Sequence, residues 1–161
     1  MKRLFLLRHA EAGMSLDLSD KDRPLSAHGI NQSKKVTESI ENIDQVLCSS
    51  ALRTKMTCDA LIEAGAKFGT VDYLDELYNA PASNLLNALQ SCTADNIMII
   101  AHNPGIHMLA ATLTGSGKTA QTEAINLFYN PATLSIFDCD IKNWSDIQAG
   151  ENTLVDLIIP D

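Results

Sequence analysis

The sequence predicts a three-layer α/β/α protein with a largely parallel, mixed sheet. Three observations carry this. Short apolar runs alternate with helix-spaced segments; the first run, Leu4-Phe5-Leu6-Leu7, is continuous; and the last two runs follow one another with no helix between them. Alternation points to crossover units that put helices on both faces of a parallel sheet. An unbroken apolar run marks a central strand buried on both faces. Two late runs without an intervening helix make the sheet mixed at that end.

Residues 4–7 are the first strand. Polar residues from Ser15 to Arg23 form a loop closed by Pro24. Ser26 then caps a helix running to about residue 43, with Ile30, Val36, Ile40 and Ile43 near one face. Residues 45–48 make a second strand. Ser49-Ser50 offers a cap for a helix over 51–64, where Met56, Ala60, Leu61 and Ala64 keep helical spacing. Gly65 and Gly69 open the loop after it. A strand over 70–73 leads to a short helix begun by Pro81, a residue tolerated in a first turn, with Leu85, Leu86 and Leu89 on its stripe. Residues 96–101 form the next strand. After His102-Asn103-Pro104-Gly105, Ile106, Leu109, Ala110 and Leu113 recur as one helix face. Runs 132–138 and 153–159 complete the sheet.

At 161 residues the chain suits one domain, residues 1–161, with one sizeable core. Hydrophobic residues make up 45% and charged residues 20%, which excludes wholesale disorder. Lys and Arg number 12 against 20 Asp and Glu, a net charge of −8. No broad positive field therefore collects nucleic acid or anionic lipid, and any anion site is local. No apolar run approaches the roughly 20 residues of a membrane span, and the N-terminal run is too short for a secretory signal. The expectation is a cytoplasmic protein, monomer or weak dimer, without nucleic-acid or membrane partners. Cys48, Cys58, Cys92 and Cys139 lack paired or zinc-ligand spacing and read as reduced, small hydrophobes.

In open α/β sheets ligands bind beyond the carboxyl ends of the strands. There the first strand ends in Arg8-His9-Ala10-Glu11, the second leads through Ser49-Ser50 to Arg53, and the 96–101 strand ends in His102. Two arginines and two histidines can converge at one edge. Arginine is permanently cationic and its planar fork matches phosphate oxygens, while helix N-termini beside Arg53 and after Pro104 add N–H groups. A neutral imidazole can attack phosphorus. A second one, protonated beside a dianion, stabilises its oxygens without a metal or other cofactor.

Leu7-Arg8-His9-Ala10-Glu11 resembles the RHGE signature of the histidine phosphatase superfamily, also called phosphoglycerate mutase-like. Residues 49–57, Ser-Ser-Ala-Leu-Arg-Thr-Lys-Met-Thr, resemble its S-x-x-x-R-x-x-x-T segment, and Ala101-His102-Asn103-Pro104-Gly105 is similar to its late histidine motif. With Arg23-Pro24-Leu25-Ser26-x-x-Gly29 and no room for a large capping insertion, the chain looks most like bacterial phosphohistidine phosphatases of the SixA type. The resemblance implies His9 as the nucleophile that becomes phosphorylated, Arg8, Arg53 and His102 as the phosphate pocket with Asn103 and Arg23 beside it, and water hydrolysing the intermediate. Ala10 departs from the usual Gly, so that position has negative φ or the loop shifts. Glu76 is the candidate acid, ahead of Asp75. An imidazole leaves with less protonation help than an alkoxide, so a poorly placed acid favours P–N over P–O substrates.

The implied substrate is a phosphohistidine protein of signalling or phosphotransfer, or a small phosphorylated molecule; the alternatives are a phosphomonoesterase or mutase, or a phosphate-binding module without turnover. Gly115-Ser-Gly-Lys-Thr119 imitates a P-loop tail, but Thr112 stands where the leading Gly belongs and a helix precedes it, so it reads as a flexible loop rimming the pocket. His28 and His107 read as solvated helix residues, Asp20-Lys-Asp-Arg23 as a solvated loop, and Glu11 as a loop anchor.

Overall fold

A computed structural model describes residues 1–161. In chain order the elements are β1 (Lys2–Arg8), α1 (Ala27–Thr37), β2 (Ile43–Ser49), α2 (Leu52–Glu63), β3 (Phe68–Leu74), α3 (Ala82–Gln90), β4 (Asn96–Ala101), α4 (Gly105–Leu113), β5 (Thr114–Gly117), α5 (Thr119–Leu127), β6 (Leu134–Cys139) and β7 (Asn152–Ile158). The strands lie side by side as β3-β2-β4-β1-β6-β7-β5. β1, β2, β3 and β4 are mutually parallel, β5 is parallel to β7, and β6 runs against both of its neighbours, β1 and β7. The sheet is mixed because of β6, at the end where two runs lack a helix between them.

The continuous run of β1 serves both faces. Leu4 and Leu6 join Ile97, Ile99 and Ala101 of β4 in a core closed by α3, α4 and α5; Phe5 and Leu7 join Met98 and Ile100 in a second core under α1 and α2. Each of the four β1 side chains is at most 1% exposed, and burying each contributes about 1.5–3 kcal/mol. This sandwiching fixes β1 beside β4 in a register that pairs Arg8 with Ala101, and it pairs Cys48 of β2 with Ile100. The carboxyl ends of β1, β2 and β4 therefore finish together.

Several boundaries differ from those read off the sequence. Ser26 caps α1 by accepting Gly29 N–H, but the helix ends at Thr37; Ile40 lies in a turn and Ile43 opens β2, where it pairs with Phe68. Ala51, without a side-chain bond, is the N-cap of α2. Gly65 ends α2 at φ +108°, a conformation that favours glycine, whereas Gly69 belongs to β3. The Gly115–Thr119 segment is no rim of the pocket: it forms β5 at the far edge of the sheet and leads into α5, two elements the sequence reading did not include. Cys48, Cys58 and Cys139 are buried and Cys92 half-buried, all as free thiols. No helix is long and apolar enough to cross a membrane.

Gly29 shows how α1 is pressed onto the strand-end loop. A Cβ there would stand 2.2 Å from the Glu11 carbonyl oxygen and 3.0 Å from its nitrogen, both backbone atoms. Gly29→Ala should destabilise the fold by about 1–3 kcal/mol, read as a lower denaturant midpoint. An unchanged midpoint would show that the loop yields freely.

Candidate active site

At the carboxyl ends of interior strands, β1 delivers Arg8 and His9, β2 delivers Ser49, and β4 leads directly into His102. α2, entering directly after β2, carries Arg53 in its first turn. The four predicted side chains meet: the His9 and His102 rings lie 5.2 Å apart, and the Arg8 and Arg53 charges both depress the basicity of each ring. His9 is 8% exposed, Arg53 4% and His102 2%. These three side chains are therefore largely withdrawn from solvent.

The loop after β1 is held from three sides. His9 N–H bonds to the Ala101 carbonyl, Ala10 N–H to the Thr57 hydroxyl at 3.1 Å, and Glu11 N–H to the Gln32 side chain at 3.0 Å. Thr57 in turn donates to the Arg53 carbonyl at 2.8 Å, so α2 is tied to the His9 loop one turn beyond Arg53. Ala10 is buried outside the positive-φ region, which is why alanine is accommodated where the related signature has glycine. Glu11 accepts the Ser26 hydroxyl at 2.8 Å, an anchor on the capping residue of α1.

The His9 ring is fixed by its Nδ1, which lies 2.8 Å from the Ala10 carbonyl oxygen. A carbonyl only accepts, so Nδ1 carries the proton and the lone pair resides on Nε2. Burial, with the charges of Arg53, Arg8 and Arg23, outweighs that carbonyl bond and brings the pKa down to about 4. The ring is neutral at ordinary pH. Nε2 of His102 lies 2.7 Å from the Ser49 hydroxyl, leaving Nδ1 buried and without a partner. Burial, then His9 and Arg53, brings its pKa to about 3. The sequence predicts this ring to be protonated beside a dianion; the protein by itself holds it neutral, because desolvation and two guanidinium groups act in the same direction.

Arg8 Nη1 and Asn103 Nδ2 both donate to the Tyr129 carbonyl at 2.9 Å, while Arg8 Nε is buried without a partner. Asn103, predicted to bind substrate, thus has its Nδ2 on the backbone, while its Oδ1 is buried without a partner. Arg23 lies at the margin, its Nη1 3.1 Å from Asp20 and its charge felt by His9. Glu76 is not brought to the histidines: it is exposed and faces a hollow with Asn84, Asn87, Ala88 and Ser91. The one-turn helix Asp75–Leu77 buries Leu77 in the core and thereby turns Glu76 outward. Asp75 is exposed and pairs with Lys21 at 3.1 Å. His28 is exposed, but His107 is held by the Ile125 carbonyl at 2.7 Å and stacks on Tyr129. No three His, Cys, Asp or Glu side chains gather as a metal site.

Three residues without a sequence signal complete the cluster. The Tyr78 ring stands edge-on to His102 at 5.6 Å, Asn79, with φ of 47°, brings Oδ1 to 3.5 Å from Arg53, and Asp20 binds Arg53 directly. Ser49 and Thr57 were visible as the two ends of the 49–57 segment. Tyr78, Asn79 and Asp20 come from loops that only tertiary packing brings over the strand ends.

These basic, histidine-bearing strand ends, together with the family match, class the protein as a phosphatase. The chain belongs to the histidine phosphatase superfamily (branch 1), whose family model matches residues 4–86, from β1 through most of α3. It is similar in fold to a protein of Agrobacterium tumefaciens provisionally named phosphohistidine phosphatase SixA, with 24% identity, a TM-score of 0.83 and 99% of each chain covered. The protein histidine phosphatase SixA complexed with tungstate is 21% identical, with a TM-score of 0.74 over 97% of this chain and 96% of that one. An uncharacterized protein of Mycobacterium tuberculosis is 26% identical over 164 residues, covering 96% of this chain and 99% of its own.

Proposed function

We propose that this chain is a phosphohistidine phosphatase that works through a phosphorylated His9. The observation that carries the reading is the state of the carboxyl groups around two neutral histidines. Glu76 faces away, and Asp20 is held as a carboxylate by Arg53, Arg23 and the Tyr78 hydroxyl, with its pKa pushed well below the usual range, chiefly by the Tyr78 bond. Neither is poised to protonate an alkoxide. A leaving imidazole needs no such donor, since its conjugate acid has a pKa of about 6.5.

His9 Nε2 attacks phosphorus, and the P–N bond to the substrate ring, which carries a proton on its other nitrogen, breaks with its electron pair going to the departing nitrogen, so that a neutral imidazole leaves. The ring now bears phosphate on Nε2 and a proton on Nδ1, and the Ala10 carbonyl stabilises the resulting positive charge. Arg8 and Arg53 neutralise the phosphoryl oxygens, Arg23 adds charge at the margin, and His102 offers its unpartnered Nδ1, with Ser49 donating to Nε2 to set that tautomer. Water then attacks the phosphoryl group, releasing phosphate and restoring neutral His9. Asn103 serves this pocket indirectly, by holding the Tyr129 carbonyl with Arg8. The single domain needs no inserted cap. Similarity in fold to a protein histidine phosphatase SixA complexed with tungstate, a tetrahedral oxyanion, supports this reading and a phosphorylated protein as the substrate.

The test compares kcat/KM on a phosphohistidine peptide and on the matching phosphoserine peptide. The expected ratio is at least about 100, since general acid assistance is worth about 10²–10⁴ to the ester alone. Equal values would reject the assignment in favour of a phosphomonoesterase.

A further inference from the structure

Asp20 opens a one-turn helix, Asp20–Asp22, within the loop that leaves the His9 strand end and returns at Pro24, where Gly13 N–H meets the Pro24 carbonyl. Both terminal nitrogens of Arg53 end on this residue: Nη1 lies 2.7 Å from its main-chain oxygen and Nη2 3.1 Å from Oδ2. Oδ1 accepts Arg23 Nη1 at 3.1 Å, and Oδ2 also accepts the Tyr78 hydroxyl. Lys21 steadies the assembly, with its ammonium 5.5 Å from the Tyr78 ring centre and 3.1 Å from Asp75. Arg53 itself is nearly buried, so its forks have few other directions in which to bond. The donors engaged by Asp20 are those a phosphoryl group needs, and two anions cannot share one face of a guanidinium without repulsion.

We infer that Asp20 is an internal competitor for Arg53: its carboxylate must leave Nη2 for a phosphoryl oxygen to take that position, and Tyr78 and Arg23 set how firmly it stays. The inference rests on Arg53 being a phosphoryl ligand, as proposed above. The displacement cost falls on every phosphorylated ligand alike. A small dianion with no further contacts is thereby left weakly bound, whereas a phosphorylated protein, with additional surface to offer, still reaches useful occupancy. Asp20 thus sets the affinity threshold of the pocket.

Calorimetric titration with inorganic phosphate tests this on the full chain. Asp20→Asn keeps the shape and removes the charge, and it should tighten the phosphate Kd about tenfold, equivalent to about 1.4 kcal/mol. Tyr78→Phe, which removes one donor to Asp20, should tighten it less but in the same direction, and it carries the test if the first variant folds poorly. The KM for a small phosphoramidate should fall with the phosphate Kd. A weaker or unchanged Kd in Asp20→Asn overturns the inference, and is the result if the carboxylate merely holds Arg53 in position. Arg53→Ala separates the two levels. Loss of phosphate binding in that variant supports the underlying reading of the site, and undiminished binding overturns that reading together with the competition built on it.

Discussion

His9→Ala is expected to abolish turnover, with a loss of at least about 10⁴-fold, the scale seen when a nucleophile is removed from a preorganised site. The same variant should take up no acid-labile, alkali-stable phosphate when incubated with a phosphohistidine protein and quenched. The fold should survive, because the ring's one hydrogen bond is to the adjacent Ala10 carbonyl and the loop is held independently through Ala10, Glu11 and the His9 main chain. Phosphate binding should also persist, since Arg8, Arg53 and His102 remain. That combination separates a nucleophile from an electrostatic ligand: losing a ligand weakens binding and rate together, whereas losing the nucleophile stops the reaction in an occupied pocket. A variant retaining activity within tenfold of the parent, or still labelled, would remove His9 from the chemistry.

The strand ends were legible because anion chemistry restricts which residue types can serve, and because β1 and β4 are buried on both faces and leave an unbroken apolar signature in the chain. β4 matches its sequence boundaries at both ends. Legibility failed where tertiary pairing overrode local pattern. Ile40 and Ile43 keep helical spacing with Val36, yet pairing with Phe68 takes Ile43 into β2. Gly115 and Gly117 have turn chemistry, but the edge of β7 makes a strand of them. In the site, the residues that engage Arg53 and cover His102 were hidden for a related reason. Asp20 is one charge in a charged loop, and Tyr78 follows Asp75-Glu76-Leu77, a segment whose pattern points to its carboxylates rather than to its tyrosine. Burial of Leu77 decides that Glu76 points outward while Tyr78 reaches back over the histidines.

Acid should destabilise this protein between about pH 6.5 and pH 4 through its two active-site histidines. An unfolded histidine titrates near pH 6.5, whereas folded His9 does so at about 4 and His102 at about 3. Below pH 6.5 the unfolded chain therefore binds protons that the folded one refuses, so stability falls as pH drops and is fully retained above that value. By about pH 4.5 each ring contributes a loss of about 2–3 kcal/mol, a large share of a typical margin of about 5–15 kcal/mol. The carboxylates act in a different window. Asp20 and Asp95 have lowered pKa values, so their stabilisation is lost only as pH falls below the ordinary carboxylate range near 4. Denaturant unfolding of the parent and of His9→Asn at about pH 7 and about pH 4.5 isolates the histidine contribution, since asparagine cannot titrate. The variant should lose at most about half as much stability across that interval as the parent, because removing His9 also removes its charge from beside His102. Equal losses in both would mean that His9 is free to take up its proton in the folded state, and the neutral nucleophile on which the proposed attack depends would then have to be formed by deprotonation rather than by burial.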